Sequence, residues 1–168
     1  MLCALLCFVF TLGACSTFSA LPEEASSGGP RVEGGMTQAE LELAFGDLVD
    51  AIEGPPGSIR SQVAGVNVYL ISEPANDRMR LIVPVAGIKT LDARYLRTLL
   101  EANFDSTFEA RYAISDGAVH ATFIHSLSSL TQPEVESALR QVLNLKKTFG
   151  TSFSAGETIF NTPSRKPR

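Results

Sequence analysis

The chain contains no tryptophan, only two histidines, and no cysteine beyond position 15. Its body therefore forms no disulfide and offers no thiolate for nucleophilic chemistry or for a zinc cluster. His120 and His125 stand five apart in one apolar segment. On a strand that odd spacing sends them to opposite faces, so no metal site is expected from the pair. Long hydrophobic runs are scarce too. Met1–Leu12 (MLCALLCFVFTL) is uncharged but falls short of the roughly 20 residues a bilayer span needs. Cations are outnumbered: the net charge is -4 overall, and residues 36–160 carry fifteen Asp/Glu against ten Lys/Arg. Gripping a phosphate backbone takes clustered cations, so nucleic acid is not an expected partner. There is no G-x-S-x-G elbow and no G-x-x-x-x-G-K-[ST] loop, and Gly54–Gly57 carries prolines where a phosphate cradle needs free amides. No catalytic residue, metal or cofactor is expected, and the composition points away from an enzyme.

The N-terminus has the length and polarity of an export leader's apolar region. It runs directly into Leu12-Gly13-Ala14-Cys15-Ser16, where small residues give a peptidase access to the backbone and a thiol follows. This sequence resembles the lipobox of bacterial lipoproteins. The resemblance implies that residues 1–14 are a signal peptide cut between Ala14 and Cys15. Cys15 would then carry fatty acyl chains on its sulfur and new amine, anchoring the protein to a membrane. Ser16 after the cysteine implies the outer membrane of a bacterial cell envelope. The alternative is a cytosolic protein beginning at Met36, with residues 1–35 outside it. Residues 15–35 are crowded with Ser, Gly and Pro, the composition of a flexible tether. Residues 161–168 (NTPSRKPR) read as a short basic, solvated tail.

Between these ends, residues 36–160 show the periodicities of a folded domain. Thr37 and Glu40 form a capping box ahead of Leu41, Ala44, Phe45, Leu48, Val49 and Ile52, a helical stripe that Gly54-Pro55-Pro56-Gly57 stops. Strands follow at 59–64, 66–72 and 79–86, with turns at Gly65 and at 74–77. Pro84 cannot donate to a ladder, so the third strand should bulge or lie at an edge there. A second helix is expected over 89–103, capped by Thr90 or Asp92, with Tyr95, Leu96, Leu99 and Leu100 as its buried stripe. Residues 108–115 alternate as a strand, Asp116-Gly117 is a type I′ hairpin signal, and 119–126 returns antiparallel. Thr131 and Glu134 frame a second capping box before a last helix bearing Val135, Ala138, Leu139, Val142 and Phe149. The order α-β-β-β-α-β-β-α specifies an α+β fold, an antiparallel sheet with helices packed on it.

That order resembles the type III secretion chaperones of the CesT-like type and the related YbjN-like proteins. The segments that look like YbjN-like members are 91–104 (LDARYLRTLLEANF), 110–117 (ARYAISDG) and, more loosely, 142–149. The resemblance implies a non-enzymatic domain that binds a polypeptide or a second copy of itself. Relatives pair through the second helix and neighbouring strands, which makes Tyr95, Leu99 and Tyr112 the expected contacts of a homodimer or partner. A cytosolic regulator or secretion chaperone is the corresponding alternative for a chain starting at Met36.

Overall fold

The computed structural model describes residues 35–156. Ala14, Cys15, nearly all of the 15–35 segment and the 161–168 tail lie outside the described residues. The elements are α1 (Gln38–Gly46), β1 (Ser58–Val63), β2 (Val66–Glu73), β3 (Arg78–Gly87), α2 (Ala93–Asp105), β4 (Arg111–Ser115), β5 (Ala118–His125) and α3 (Gln132–Thr148), with short 3-10 turns before β3, α2 and α3. The expected order of helices and strands is therefore present throughout.

Local chemistry sets most boundaries. The Thr37 hydroxyl accepts from the Glu40 N–H while the Glu40 carboxylate accepts from the Thr37 N–H, closing the capping box that starts α1. Asp92, rather than Thr90, caps α2: its carboxylate accepts from the Tyr95 N–H at 2.7 Å. Thr90 instead donates to the Gly87 carbonyl. Glu134 accepts from both the N–H and the hydroxyl of Thr131 at the start of α3. Asp116 and Gly117 both take positive φ, as a type I′ turn requires.

The five strands form one antiparallel sheet in the order β1-β2-β3-β5-β4. The β3–β5 register slips between Pro84 and Ala86, so the proline sits at a bulge as its missing N–H demands. Ile59, Val68, Leu70, Met79, Leu81, Val83, Tyr112, Val119, Ala121 and Phe123 share the buried face. Helix α3 lies across β3, β5 and β4, α1 packs on α3, and α2 runs beside β4. Leu41, Phe45, Val135, Val142 and Leu145 close the core from the helix side. Each such side chain contributes about 1.5–3 kcal/mol by leaving water. His120 and His125 fall on opposite faces of β5, as their spacing dictates. His125 stacks on Phe123 at the core side, and the His120 ring meets the Ser115 carbonyl on the other.

Three elements differ from their sequence pattern. Helix α1 ends at Gly46, and the polypeptide then turns so that Glu53 exchanges backbone hydrogen bonds with Arg60. Pairing with β1 outcompetes a helix already weakened by glycine. Leu48 and Val49 still pack on the core, whereas Ile52 is exposed. On α2 the buried residues are Leu99 and Ala102, and Leu100 faces solvent. Strand β4 begins at Arg111, because the backbone N–H groups of Glu109 and Ala110 before it are held by one α3 side chain, Gln141, instead of a neighbouring strand.

Candidate interaction surface

All three helices lie on one side of the sheet. On the other side, residues of the alternate parity are half-buried or exposed: Arg60, Tyr69, Ile71, Arg80, Ile82, Thr122 and Ile124. Cross-strand pairing arranges them in rows. One runs Arg60, Tyr69, Ile82, Thr122, Arg111; the next runs Ser58, Ile71, Arg80, Ile124. The uncovered face is thus a band of isoleucine and tyrosine set with arginines. Glu73 lies 3.7 Å from Arg80 and Glu53 lies 2.7 Å from Arg60, both pairs solvent-exposed and individually weak.

A second apolar surface stands on α2. Leu100 is 70% exposed and Phe104 is 88% exposed. Four residues apart on a helix, they form one ridge. They flank the expected contact positions without coinciding with them. Leu99 and Tyr112 are 3% and 6% exposed, within the domain's own core. Tyr95 is half-buried in a cluster with Tyr112, Phe149 and Phe153, where ring centroids lie 5.4–6.2 Å apart in tilted and edge-to-face pairs. The Tyr112 hydroxyl donates to the Leu145 carbonyl at 2.8 Å, and burial pushes its pKa up to about 12. The cluster thus ties α2, β4 and the segment after α3 together.

Both sheet edges are partly covered, at β4 by side chains and at β1 by the backbone that precedes it. At β4, the Asn103 carboxamide accepts from the Tyr112 N–H at 2.7 Å and donates to the Tyr112 carbonyl at 3.0 Å. Those are the two bonds that a further strand would make at that residue. Beside it, the Gln141 carbonyl oxygen accepts from the N–H groups of Glu109 and Ala110, at 3.1 and 3.0 Å. At β1, Glu53 occupies both backbone groups of Arg60. Edges treated in this way resist accidental strand pairing. The sequence does carry a trace of the β4 device. Asn103 is a poor helix former placed inside the last turn of α2, where only a specific bond justifies it. Gln141 sits on the buried stripe of α3, where an apolar residue would otherwise stand.

Among the described residues no three His, Cys, Asp or Glu side chains converge as metal ligands, and no helix is long and apolar enough to cross a membrane.

No protein-family model matches the chain, and no curated protein is significantly similar to it. Solved structures do match. One is the HopA1–SchA chaperone–effector complex, at 13% identity and a TM-score of 0.51 over 64% of this chain and 87% of that one. Another is the ExsC–ExsE complex, at 18% identity and a TM-score of 0.50 over 65% of this chain and 89% of that one. A third is the Yersinia pestis type III secretion chaperone SycH bound to a fragment of YscM2, at 19% identity and a TM-score of 0.52 over 67% of this chain and 99% of that one. At such identities the likeness speaks to architecture alone. The polypeptide accordingly has the α+β fold of the type III secretion chaperones.

Proposed function

We propose that the protein is a non-enzymatic, membrane-anchored lipoprotein whose chaperone-like domain binds polypeptide and pairs with a second copy through α2. The observation that carries the reading is the Leu100–Phe104 ridge, where a phenylalanine 88% exposed stands one helical turn from a leucine 70% exposed as one contiguous apolar surface. Leu99 and Tyr112 are buried and Tyr95 half-buried in the domain's own core, so this reading places the contact on the exposed ridge beside them. Support for a polypeptide ligand comes from the neighbours, which were solved in complexes with other proteins. The anchor is assigned to Cys15, with cleavage after Ala14, from the lipobox alone. Ser16 then favours the outer membrane.

Sedimentation tests the pairing. The wild-type chain is expected to run as a dimer, and Phe104→Glu as a monomer with unchanged circular dichroism. A wild-type monomer at high concentration refutes it. Metabolic labelling with a radioactive fatty acid tests the anchor, with incorporation lost in Cys15→Ser. A cytosolic regulator or secretion chaperone beginning at Met36 is the second reading. It draws on Met36 itself, which packs on the core and whose N–H donates to the Leu127 carbonyl at 2.8 Å. An unlabelled wild type refutes the anchor and favours this second reading.

A further inference from the structure

Helix α2 carries its exposed charges in an order that a lone helix disfavours. Arg94 stands in the first turn and Asp105 is the last residue, with no acidic residue in the first turn and no basic one in the last. The partial charges at helix ends favour the reverse, anions at the start and cations at the finish. Helix α3 obeys that preference, with Glu134 in its first turn and Lys146 and Lys147 in its last. Further along α2, Arg97 precedes Glu101 by four residues, the weaker of the two orientations for such a pair. All four side chains are exposed, and among the described residues no ion pair engages any of them. The charged neighbours are occupied elsewhere: Asp92 caps α2, and Arg111 donates to the Thr107 hydroxyl and the Ala110 carbonyl. Within one copy, then, the order of these charges stabilises nothing.

Between two copies it does. At about 100° per residue, the four charges and the Leu100–Phe104 ridge share one arc of about 140° on the exposed side of α2. At about 1.5 Å of rise per residue, Arg94 and Asp105 stand about 16 Å apart along the axis, and Arg97 and Glu101 about 6 Å apart. The midpoints of the two pairs coincide within about 1 Å, next to Leu100. A two-fold axis passing there, perpendicular to α2, lays a second α2 antiparallel on the first. Arg94 then meets Asp105 of the other copy, Arg97 meets Glu101, and the two Leu100 side chains face each other at the axis. Phe104 comes level with Arg94 and Arg97 of the other copy, whose aliphatic stems extend the apolar contact. Parallel pairing does the opposite, setting arginine beside arginine and carboxylate beside carboxylate.

We propose that the charge order along α2 encodes its pairing: a second copy docks antiparallel, with Arg94–Asp105 and Arg97–Glu101 contacts on both sides of the two-fold axis. This register selects another copy of the same chain over other exposed apolar helices, because only a self-complementary face answers all four charges. The inference rests on the α2 pairing stated above and adds its direction, register and selectivity.

Charge reversal in the full chain tests it. Arg94→Glu with Arg97→Glu makes the face wholly acidic and is expected to weaken self-association at least about tenfold in sedimentation equilibrium. Adding Glu101→Arg and Asp105→Arg is expected to bring dimerisation back to within about threefold of wild type, because antiparallel pairing is complementary in either polarity. The quadruple variant also obeys the helix dipole, so its circular dichroism and melting temperature should match or exceed those of the wild type. Native mass spectrometry of a mixture, with one chain isotope-labelled, reads the register. Wild type and quadruple variant should each pair with themselves and not with each other, since Arg94 would meet the arginine introduced at position 105. Free exchange between the two overturns the proposal, and so does preferential cross-pairing, which is the signature of parallel helices. Phe104→Glu separates this result from the pairing itself. A monomeric wild type, or a Phe104→Glu variant that stays dimeric, overturns both readings. Phe104→Glu monomers together with free cross-pairing of the quadruple variant overturn the charge register alone.

Discussion

Removing the Asn103 carboxamide should open the β4 edge. Its two hydrogen bonds, 2.7 and 3.0 Å long, satisfy both backbone groups of Tyr112, a residue only 6% exposed. Asn103→Leu keeps a similar volume and removes both partners. A buried backbone group left without a partner costs about 1–3 kcal/mol, and the half-buried position of Asn103 admits some water. The expected loss is therefore about 2 kcal/mol, or about 8 °C in melting temperature for a domain of this size. Urea unfolding followed by circular dichroism measures it directly. Asn103→Asp separates the two bonds. One carboxylate oxygen still accepts from the Tyr112 N–H, but the other faces the Tyr112 carbonyl, where only a protonated carboxyl can donate. The folded state thus favours the neutral acid and raises that pKa above the unfolded value of about 3.9. Its stabilisation is complete below the unfolded pKa and is lost as pH rises through the folded one. Relative to wild type, the aspartate variant should be nearly neutral near pH 3 and clearly weaker at pH 7. An Asn103→Leu variant within about 0.5 kcal/mol of wild type would refute the reasoning, as would an aspartate variant whose deficit is the same at both pH values.

Gln141→Leu should cost about 2 kcal/mol in the same unfolding assay, because it strips the fully buried Ala110 N–H of its acceptor. Leu100→Glu and Phe104→Glu should each change stability by less than about 0.5 kcal/mol, since both side chains already face water; sedimentation should nevertheless show lost self-association. On the alkaline side, the unfolded chain ionises its tyrosines near 10.0 whereas folded Tyr112 resists to about 12, so stability should fall across that interval. Tyr112→Phe should remove that part of the decline and abolish the late step in phenolate absorbance. On the acid side, the Ser128 hydroxyl and N–H hold Asp77 below its ordinary 3.8, and the Thr131 hydroxyl holds Glu134 below its ordinary 4.5. Their stabilisation is present at neutral pH and is lost as pH drops from these values through the lower folded ones. Asp77→Asn and Glu134→Gln should flatten that acid limb in chemical unfolding.

The sequence by itself determined every feature that a few adjacent residues can enforce. Thr37 with Glu40 and Thr131 with Glu134 started their helices, Asp116-Gly117 made its hairpin, and Pro84 marked its bulge, because caps and turns are satisfied within four positions. Alternation likewise assigned the buried faces of β2 and β5, whereas β3 is apolar on both parities and carries no such signal. Tertiary structure alone decided that β5 lies between β3 and β4, since strand order depends on contacts distant in the chain. It also decided that Leu99 is core and Leu100 is surface. Both fit an apolar stripe, and only the angle at which α2 meets β4 chooses between them. Asn103 and Gln141 show the same limit, because each answers a backbone group in another element, and no local pattern records which group that will be.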